Sequence, residues 1–269
     1  MVDTFLAPEP ARRLHRLATE LTSNPVSYVV NTHYHNDHIR GNQVFSDAII
    51  ISTAQTRRLI EEREPGQIEA DMASAPNELQ RLSDQKANET SPEALHMLDM
   101  WIGYYQAMVE SEEELQTVLP SLTFSNQLVL HGRDRTVELK EFVSGHTGSD
   151  LVVWLPDDGV LFSGDLVFNR MHPYLADGSP EFLKETLRSL THLGPASVIV
   201  VPGHGEVGGK GTIERMIDYL TVLDDRAKHV VSEGTSDTSV PAQFADWEFD
   251  QFYRSNLSFV LGRIRKGSY

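Results

Sequence analysis

Three histidines and one aspartate fall within the six residues His33-Tyr34-His35-Asn36-Asp37-His38. Imidazole nitrogen and carboxylate oxygen are the donors that zinc, manganese and iron accept, so this density of them is the composition of a metal site. In an extended stretch His33 and His35 project to one side and can share an ion. Asp37 and His38 lie past the turn and can reach a second ion nearby. A solvated loop opening a helix accounts for one or two such histidines, but hardly for four ligand-type side chains together.

Three later segments each set one ligand-type residue beside glycine, where the backbone can approach closely. They are Ser144-Gly145-His146-Thr147-Gly148, Phe162-Ser163-Gly164-Asp165 and Val201-Pro202-Gly203-His204-Gly205. Each alone is weak, because a lone histidine or aspartate at a strand end is commonly solvated or caps a helix. Jointly, four strand-end loops that each supply ligands are what an α/β site at a sheet edge requires. The chain has no cysteine. Thiolate ligands and disulfides are therefore excluded, and any metal must be held by nitrogen and oxygen.

The elements that must present these loops are readable from the apolar pattern. A helix over 9–23 precedes a β-branched strand at 26–32 that runs directly into the histidine-rich turn. AIIIS (48–52) is a second buried strand. Strands follow at 127–131, 135–143, 150–156 and 159–164, with Asp157-Asp158-Gly159 as a hairpin turn. A helix at 180–192, a strand at 196–203 and a helix at 210–232 come next, and a final helix is expected at 242–264. Gly208-Gly209-Lys210-Gly211 has the wrong spacing for a phosphate loop and reads as the entry to a helix.

Residues 53–120 change character, being rich in Glu, Gln, Ala, Leu and Met. The pattern predicts helices near 54–62, 77–87 and 92–117, broken around Pro65-Gly66, Pro76 and Pro92. Trp101, Tyr104, Tyr105 and Met108 recur at helical spacing. Such a stripe is more often core than the wall of a pocket or a lid. No repeat or linker divides the chain, so one domain over 1–269 is expected, with a helical insertion at about 53–120 and a helical tail at about 233–269.

The 269 residues include 23 basic and 39 acidic side chains, for a formal net charge of −16. That field repels nucleic-acid phosphates, so a long polyanionic partner is not expected. A small anionic substrate remains admissible, because bound cations invert the local potential. No apolar run reaches the roughly 20 residues that span a bilayer, and the N-terminus lacks the pattern of a signal peptide. Taken as written, the chain reads as cytoplasmic.

HYHNDH, SGHTG, SGD and PGHG, in this order, resemble the ligand motifs of the metallo-β-lactamase fold superfamily, over roughly Val2 to residue 232. The resemblance implies an α/β fold, a four-layer αββα sandwich with the site at one edge of its two sheets. It also implies two metal ions per chain, zinc foremost, with manganese and iron as alternatives. On that pattern His33, His35 and His146 bind one ion, Asp37, His38 and His204 bind the other, and Asp165 bridges them. The chemistry expected is hydrolysis: two cations bring a bridging water toward neutral pKa, and Asp37 orients it and later carries its proton. Asp37 and Asp165 are thus the catalytic candidates. Asp3 is a candidate for fixing a histidine tautomer, and His172 and Tyr174 are candidate substrate contacts, although an ordinary loop histidine explains His172 equally well.

Asp165 narrows the branch. Zinc β-lactamases of this superfamily typically carry cysteine or serine there, whereas an aspartate looks more like the glyoxalase II, lactonase and phosphodiesterase branches. A small carboxyl substrate (ester, thioester or lactone) is therefore expected, with β-lactam hydrolysis as a weak activity. The alternatives are a phosphodiesterase or nuclease, for which no basic exosite is visible, and a di-iron redox protein, for which no flavin domain has room. The resemblance further implies that strands normally precede VDTFL. Either the chain starts upstream of Met1, in which case a signal peptide and a periplasmic or secreted location become admissible, or another element or a second copy covers that sheet edge.

Overall fold

The computed structural model describes residues 1–235 and 237–267; Ser236, Ser268 and Tyr269 of the expected tail lie outside the described residues. It divides into two compact units, Met1–Phe124 and Ser125–Tyr269, each built around one sheet.

In the first unit α1 (Pro8–Thr22) opens with proline in its first turn, where the missing N–H costs nothing. Of its apolar residues Ala11 is buried, whereas Leu17 and Leu21 remain 49% and 76% exposed. Strands β1 (Tyr28–Val30), β2 (Ile49–Thr53) and β3 (Leu122–Phe124) form a parallel sheet in that order. Val2 adds a parallel bridge to Val30, which brings Asp3 beside the end of β1. Between β1 and β2 lie the short helix α2 (Asn36–Ile39) and a 3-10 helix at Arg40–Phe45. Gly41 in that turn is required by space, because a Cβ there would sit 1.9 Å from the Thr4 carbonyl oxygen and 2.4 Å from the Ala11 Cβ.

The insertion corrects the expectation of three broken helices. Helix α3 (Ala54–Lys86) runs unbroken for 33 residues through both Pro65 and Pro76. Thr53 caps it by accepting the Thr56 N–H at 2.9 Å. Each interior proline removes a backbone hydrogen bond and costs about 3 kcal/mol. What outweighs them is an inward stripe of Thr56, Ile60, Glu64, Asp71, Ala75 and Leu82, whose spacings of four and seven keep one helical phase past both prolines. Helix α4 (Pro92–Ser111), shorter than expected, is capped by Ser91 and returns alongside α3.

The second unit holds a six-stranded sheet of β4 (Gln127–His131), β5 (Thr136–Phe142), β6 (Asp150–Leu155), β7 (Val160–Asn169), β8 (Ile199–Gly205) and β9 (Gly208–Gly209), hydrogen-bonded in that order. The first four are antiparallel neighbours and β7 pairs parallel to β8. The Asp157-Asp158-Gly159 turn joins β6 to β7, with Gly159 at φ +66°. Helices α5 (Pro180–Thr191), α6 (Lys210–Glu233) and α7 (Asp250–Arg265) bury Leu183, Leu187, Ile213, Met216, Leu220, Leu257 and Val260 in one core with Leu161, Leu166 and Val200 of the sheet.

The end of one strand and the start of one helix shift from the sequence expectation for a visible reason. Strand β7 continues five residues past Gly164, with register shifts on both sides of that glycine. Such an irregularity re-aims a side chain, and the residue that follows is Asp165. The expected helix 242–264 starts only at Asp250, after a 3-10 turn at Ala242–Phe244. Trp247 stacks on Tyr219 at 5.4 Å and Glu248 bridges to Met171, and these tertiary contacts displace the helix there.

Gly41→Ala should be severely destabilising, by about 3 kcal/mol or more, since a methyl group against a carbonyl oxygen has nowhere to go. Urea unfolding of the variant with a midpoint equal to wild type would contradict this packing.

Candidate functional site

In the first unit the ligand-type residues converge on the exit of β1. The ring centroids of His33 and His35 lie 4.7 Å apart and those of His33 and His38 lie 4.2 Å apart. His38 Nε2 is 3.5 Å from Asp37 Oδ2. His33 and His38 are buried, at 1% and 4% exposure.

A polar relay fixes the tautomers of both buried rings. Asp3 Oδ1 accepts the Thr32 N–H at 2.8 Å, and Asp3 Oδ2 accepts from the Thr32 hydroxyl at 2.8 Å and lies 2.9 Å from His38 Nδ1. A carboxylate only accepts, so His38 carries its proton on Nδ1 and presents a lone pair at Nε2. The Thr32 hydroxyl, having spent its proton on Asp3, offers a lone pair to His33 Nδ1 at 3.0 Å. His33 then also presents Nε2 as a base. Two buried imidazoles whose Nδ1–H is tied down by an outer carboxylate and a hydroxyl have their Nε2 lone pairs free in direction for metal ligation. Asp3 holds this place at φ +54°.

The backbone of the turn is clamped from beneath. The His38 carbonyl accepts the Thr4 N–H at 2.9 Å and the Asn31 amide at 3.3 Å. Asn31 and Asn42, both fully buried, exchange amide hydrogen bonds at 3.0 and 2.9 Å. Arg40, 2% exposed, donates to Glu64 and to Asp71, each at 2.6 Å. Burial works against its charge, but the two carboxylates outweigh it and hold its pKa above the ordinary value. Asn36, inside the ligand motif, donates to Asp71 at 3.3 Å and to the Tyr104 hydroxyl at 3.0 Å. Arg63 donates to the Tyr34 hydroxyl at 2.5 Å and lies over its ring.

In the second unit the three separate loops of the sequence come together. Asp165 Oδ2 lies 3.3 Å from His146 Nε2 and 3.4 Å from His204 Nε2, so two imidazoles face one carboxylate oxygen. Phe168 stacks on His204 at 5.2 Å. The glycines make the approach feasible: a Cβ on Gly203 would fall 1.9 Å from Asp165 Oδ1, and one on Gly178 2.4 Å from the His146 carbonyl oxygen. The turn after His146 is held by Asp150, which accepts the Thr147 N–H at 3.0 Å and the Thr147 hydroxyl at 2.8 Å. The chain thus carries His/Asp clusters suited by donor type to metal ions, with zinc, manganese and iron all compatible.

His172 and Tyr174 are placed differently from the ligands. His172 is 1% exposed, with Tyr219, Trp247 and Tyr253 at 5.5 to 5.7 Å, and burial lowers its pKa to about 4. It belongs to the aromatic core of the second unit. Tyr174 is 38% exposed and packs edge-on against Phe252. Lys210 donates to the Thr191 and Gly194 carbonyls, which ties the glycine-rich entry of α6 to α5. Thr32, Asn36, Arg40, Glu64, Asp71 and Tyr104 were not legible as site residues. Thr32, Asn36 and Arg40 do adjoin the ligand motif, and Tyr104 stood in the aromatic stripe read foremost as core, but Glu64 and Asp71 lie far along the chain without any spacing signal.

The family model of the metallo-beta-lactamase superfamily matches residues 1–204. Among curated relatives, a metallo-beta-lactamase type 2 of Bacteroides fragilis is 24% identical over 139 residues, covering 51% of this chain and 51% of its own length. A metallo-beta-lactamase type 2 of Bacillus cereus is 35% identical over 80 residues, 28% of this chain and 31% of that one. The chain therefore spans about half the length of these relatives, or less. Among solved structures, a metallo-beta-lactamase from Pontibacter korlensis superposes with a TM-score of 0.57 at 19% identity, covering 82% of this chain and 81% of that one. One from Hirschia baltica gives 0.55 at 15% identity, over 82% and 79%.

Asp3→Ala should weaken metal binding by about 10- to 100-fold, because His33 and His38 lose the partner that fixes their tautomers. Competition with a chromophoric chelator reads this directly, and unchanged affinity would remove Asp3 from the site. A second expectation concerns acid stability. The native pKa of His172 lies below its ordinary 6.5, so the unfolded chain takes up a proton first as pH falls. The stability this histidine contributes is fully present above pH 6.5 and is lost as pH drops toward 4. In metal-free protein, His172→Phe should flatten that part of the pH–stability curve; an unaltered curve would show that another group governs it.

Proposed function

Because the chain belongs to the metallo-β-lactamase superfamily, with a family match over residues 1–204, we propose that it is a two-metal hydrolase of a small carboxyl-type substrate: an ester, thioester or lactone. The observation that carries this reading is Asp165, a buried carboxylate faced by His146 and His204. An aspartate so placed suits a bridge between two ions, and the superfamily's antibiotic-hydrolysing branch typically has cysteine or serine there. The proposed holders are His33, His35 and His146 for one ion and Asp37, His38 and His204 for the other, with Asp165 shared. Zinc is the proposed metal, on the strength of the all-nitrogen-and-oxygen donor set and borderline-soft imidazoles.

When bound, two cations supply a water of near-neutral pKa and polarisation of the carbonyl oxygen. The chain's own residues supply the rest. Asp37, 3.5 Å from His38 Nε2, orients the attacking water, accepts its proton and returns it to the leaving group. Asp3 and Thr32 fix the Nδ1–H tautomers of His38 and His33, which leaves the Nε2 lone pair of each ring for a metal ion. The net charge of −16 disfavours long polyanions and supports a small substrate over nucleic acid. Beta-lactam hydrolysis is the second reading, favoured by the names of the matched relatives.

Reconstituted protein should hold about two zinc ions per chain and lose activity on chelation. A panel of esters, thioesters, lactones, β-lactams and phosphodiesters should give the highest kcat/KM on a carboxyl substrate that is not a β-lactam. A β-lactam or phosphodiester at the top would overturn the substrate class. Asp165→Ala should lose at least about 100-fold in kcat without a change in far-UV circular dichroism; full activity would remove Asp165 from the mechanism.

A further inference from the structure

Helix α4 carries one hydroxyl that the ligand motif holds in a defined orientation. Asn36 Nδ2 lies 3.3 Å from Asp71 Oδ2 and 3.0 Å from the Tyr104 hydroxyl. The Asp71 carboxylate can only accept, so the Asn36 group beside it is the amide nitrogen, with two protons to give. One goes to Asp71 and the other to Tyr104. Tyr104 is therefore the acceptor in its contact with Asn36, and its own O–H points elsewhere. Among the described residues no acceptor for that proton is found.

The arrangement is held rigidly. Asp71 is pinned by Arg40 at 2.6 Å and by Gln67 at 2.8 Å, and Arg40 is pinned in turn by Glu64 at 2.6 Å. Trp101 and Tyr105 pack edge-on against the Tyr104 ring at 5.6 and 5.3 Å. The hydroxyl lies one hydrogen bond from Asn36, the residue between His35 and Asp37. A buried arginine with two carboxylates is costly to assemble for stability alone, and here one of those carboxylates, Asp71, holds the residue between His35 and Asp37.

We propose that Tyr104 is a catalytic residue of this site, its hydroxyl donating a hydrogen bond to the substrate oxygen that gains negative charge as the carbonyl is attacked. The inference rests on the carboxyl-hydrolase reading above. Tyr104 acts by hydrogen bonding and not by proton transfer: the phenol keeps the proton it shares, and burial favours that neutral form. A donor preset before reaction needs no reorganisation when charge develops, which is the source of its effect. Arg40, Glu64, Asp71 and Asn36 are positioning residues for it.

The test compares Tyr104→Phe with wild type, both zinc-loaded, on the best carboxyl substrate of the panel. The expected result is a loss of about 100-fold in kcat, with KM, bound zinc and the thermal midpoint unchanged. A phosphonate mimic of the tetrahedral intermediate should lose affinity for the variant by a similar factor, while the carboxylate product should not. A kcat within threefold of wild type would overturn the assignment, as would a loss that tracks lower zinc content or a lower midpoint, the mark of a merely structural tyrosine. The two readings fail separately. A wild type inactive on every carboxyl compound overturns the proposed function, whereas an active wild type with an equally active Tyr104→Phe overturns only the role of Tyr104.

Discussion

The carboxylate of Asp3 is the point on which the first unit's ligand turn depends. It gathers a backbone N–H and a hydroxyl from Thr32 and an imidazole nitrogen from His38, and through Thr32 it reaches His33. A buried imidazole is a ligand only if it is neutral and its lone pair faces the metal. One aspartate settles the second condition for two histidines. Much of the local architecture serves to bring that aspartate into place. The Val2 bridge to β1 sets the strand end, the Thr4 bonds to the His38 carbonyl close the loop, and Gly41 lets the backbone of residue 4 pass at contact distance.

The second unit solves a different problem, that of bringing one oxygen between two rings from distant loops. His146, Asp165 and His204 lie on separate connections, and each approach is made through glycine. Gly203 allows β8 to run against Asp165, and Gly178 allows the loop before α5 to lie on the backbone of residues 145 and 146. The register shifts around Gly164 then turn Asp165 out of the strict alternation of β7. A strand without that irregularity would direct side chains alternately to the two faces of the sheet.

Much of this was legible beforehand. The ligand residues announced themselves because metal-binding side chains are rare in such density and lie beside glycines at strand ends. Asp3 could be singled out because the family resemblance implies a strand end at VDT, where a carboxylate can fix a histidine tautomer. The insertion was less legible. Proline is a strong local signal for a helix break, and both Pro65 and Pro76 were read that way. Yet α3 continues, since the inward stripe from Thr56 to Leu82, with Arg40 bound to Glu64 and Asp71, stabilises the helix more than each proline costs it. His172 was misleading for the opposite reason: a histidine shortly after a ligand aspartate looks functional until the aromatic residues around it are seen.

The sequence by itself determined the donor set, the order of the motifs, the absence of sulfur chemistry and most strand positions, because these follow from residue type and from periodicity within a few residues. Only the tertiary structure decided which carboxylate fixes which imidazole, that α3 is one helix, and that Asn36 turns the Tyr104 hydroxyl away from itself. These depend on hydrogen bonds between residues 24 to 68 positions apart, and no local pattern encodes such distances. The seven candidate ligands were legible in the chain; the network that orients His33 and His38 exists only once the chain is folded.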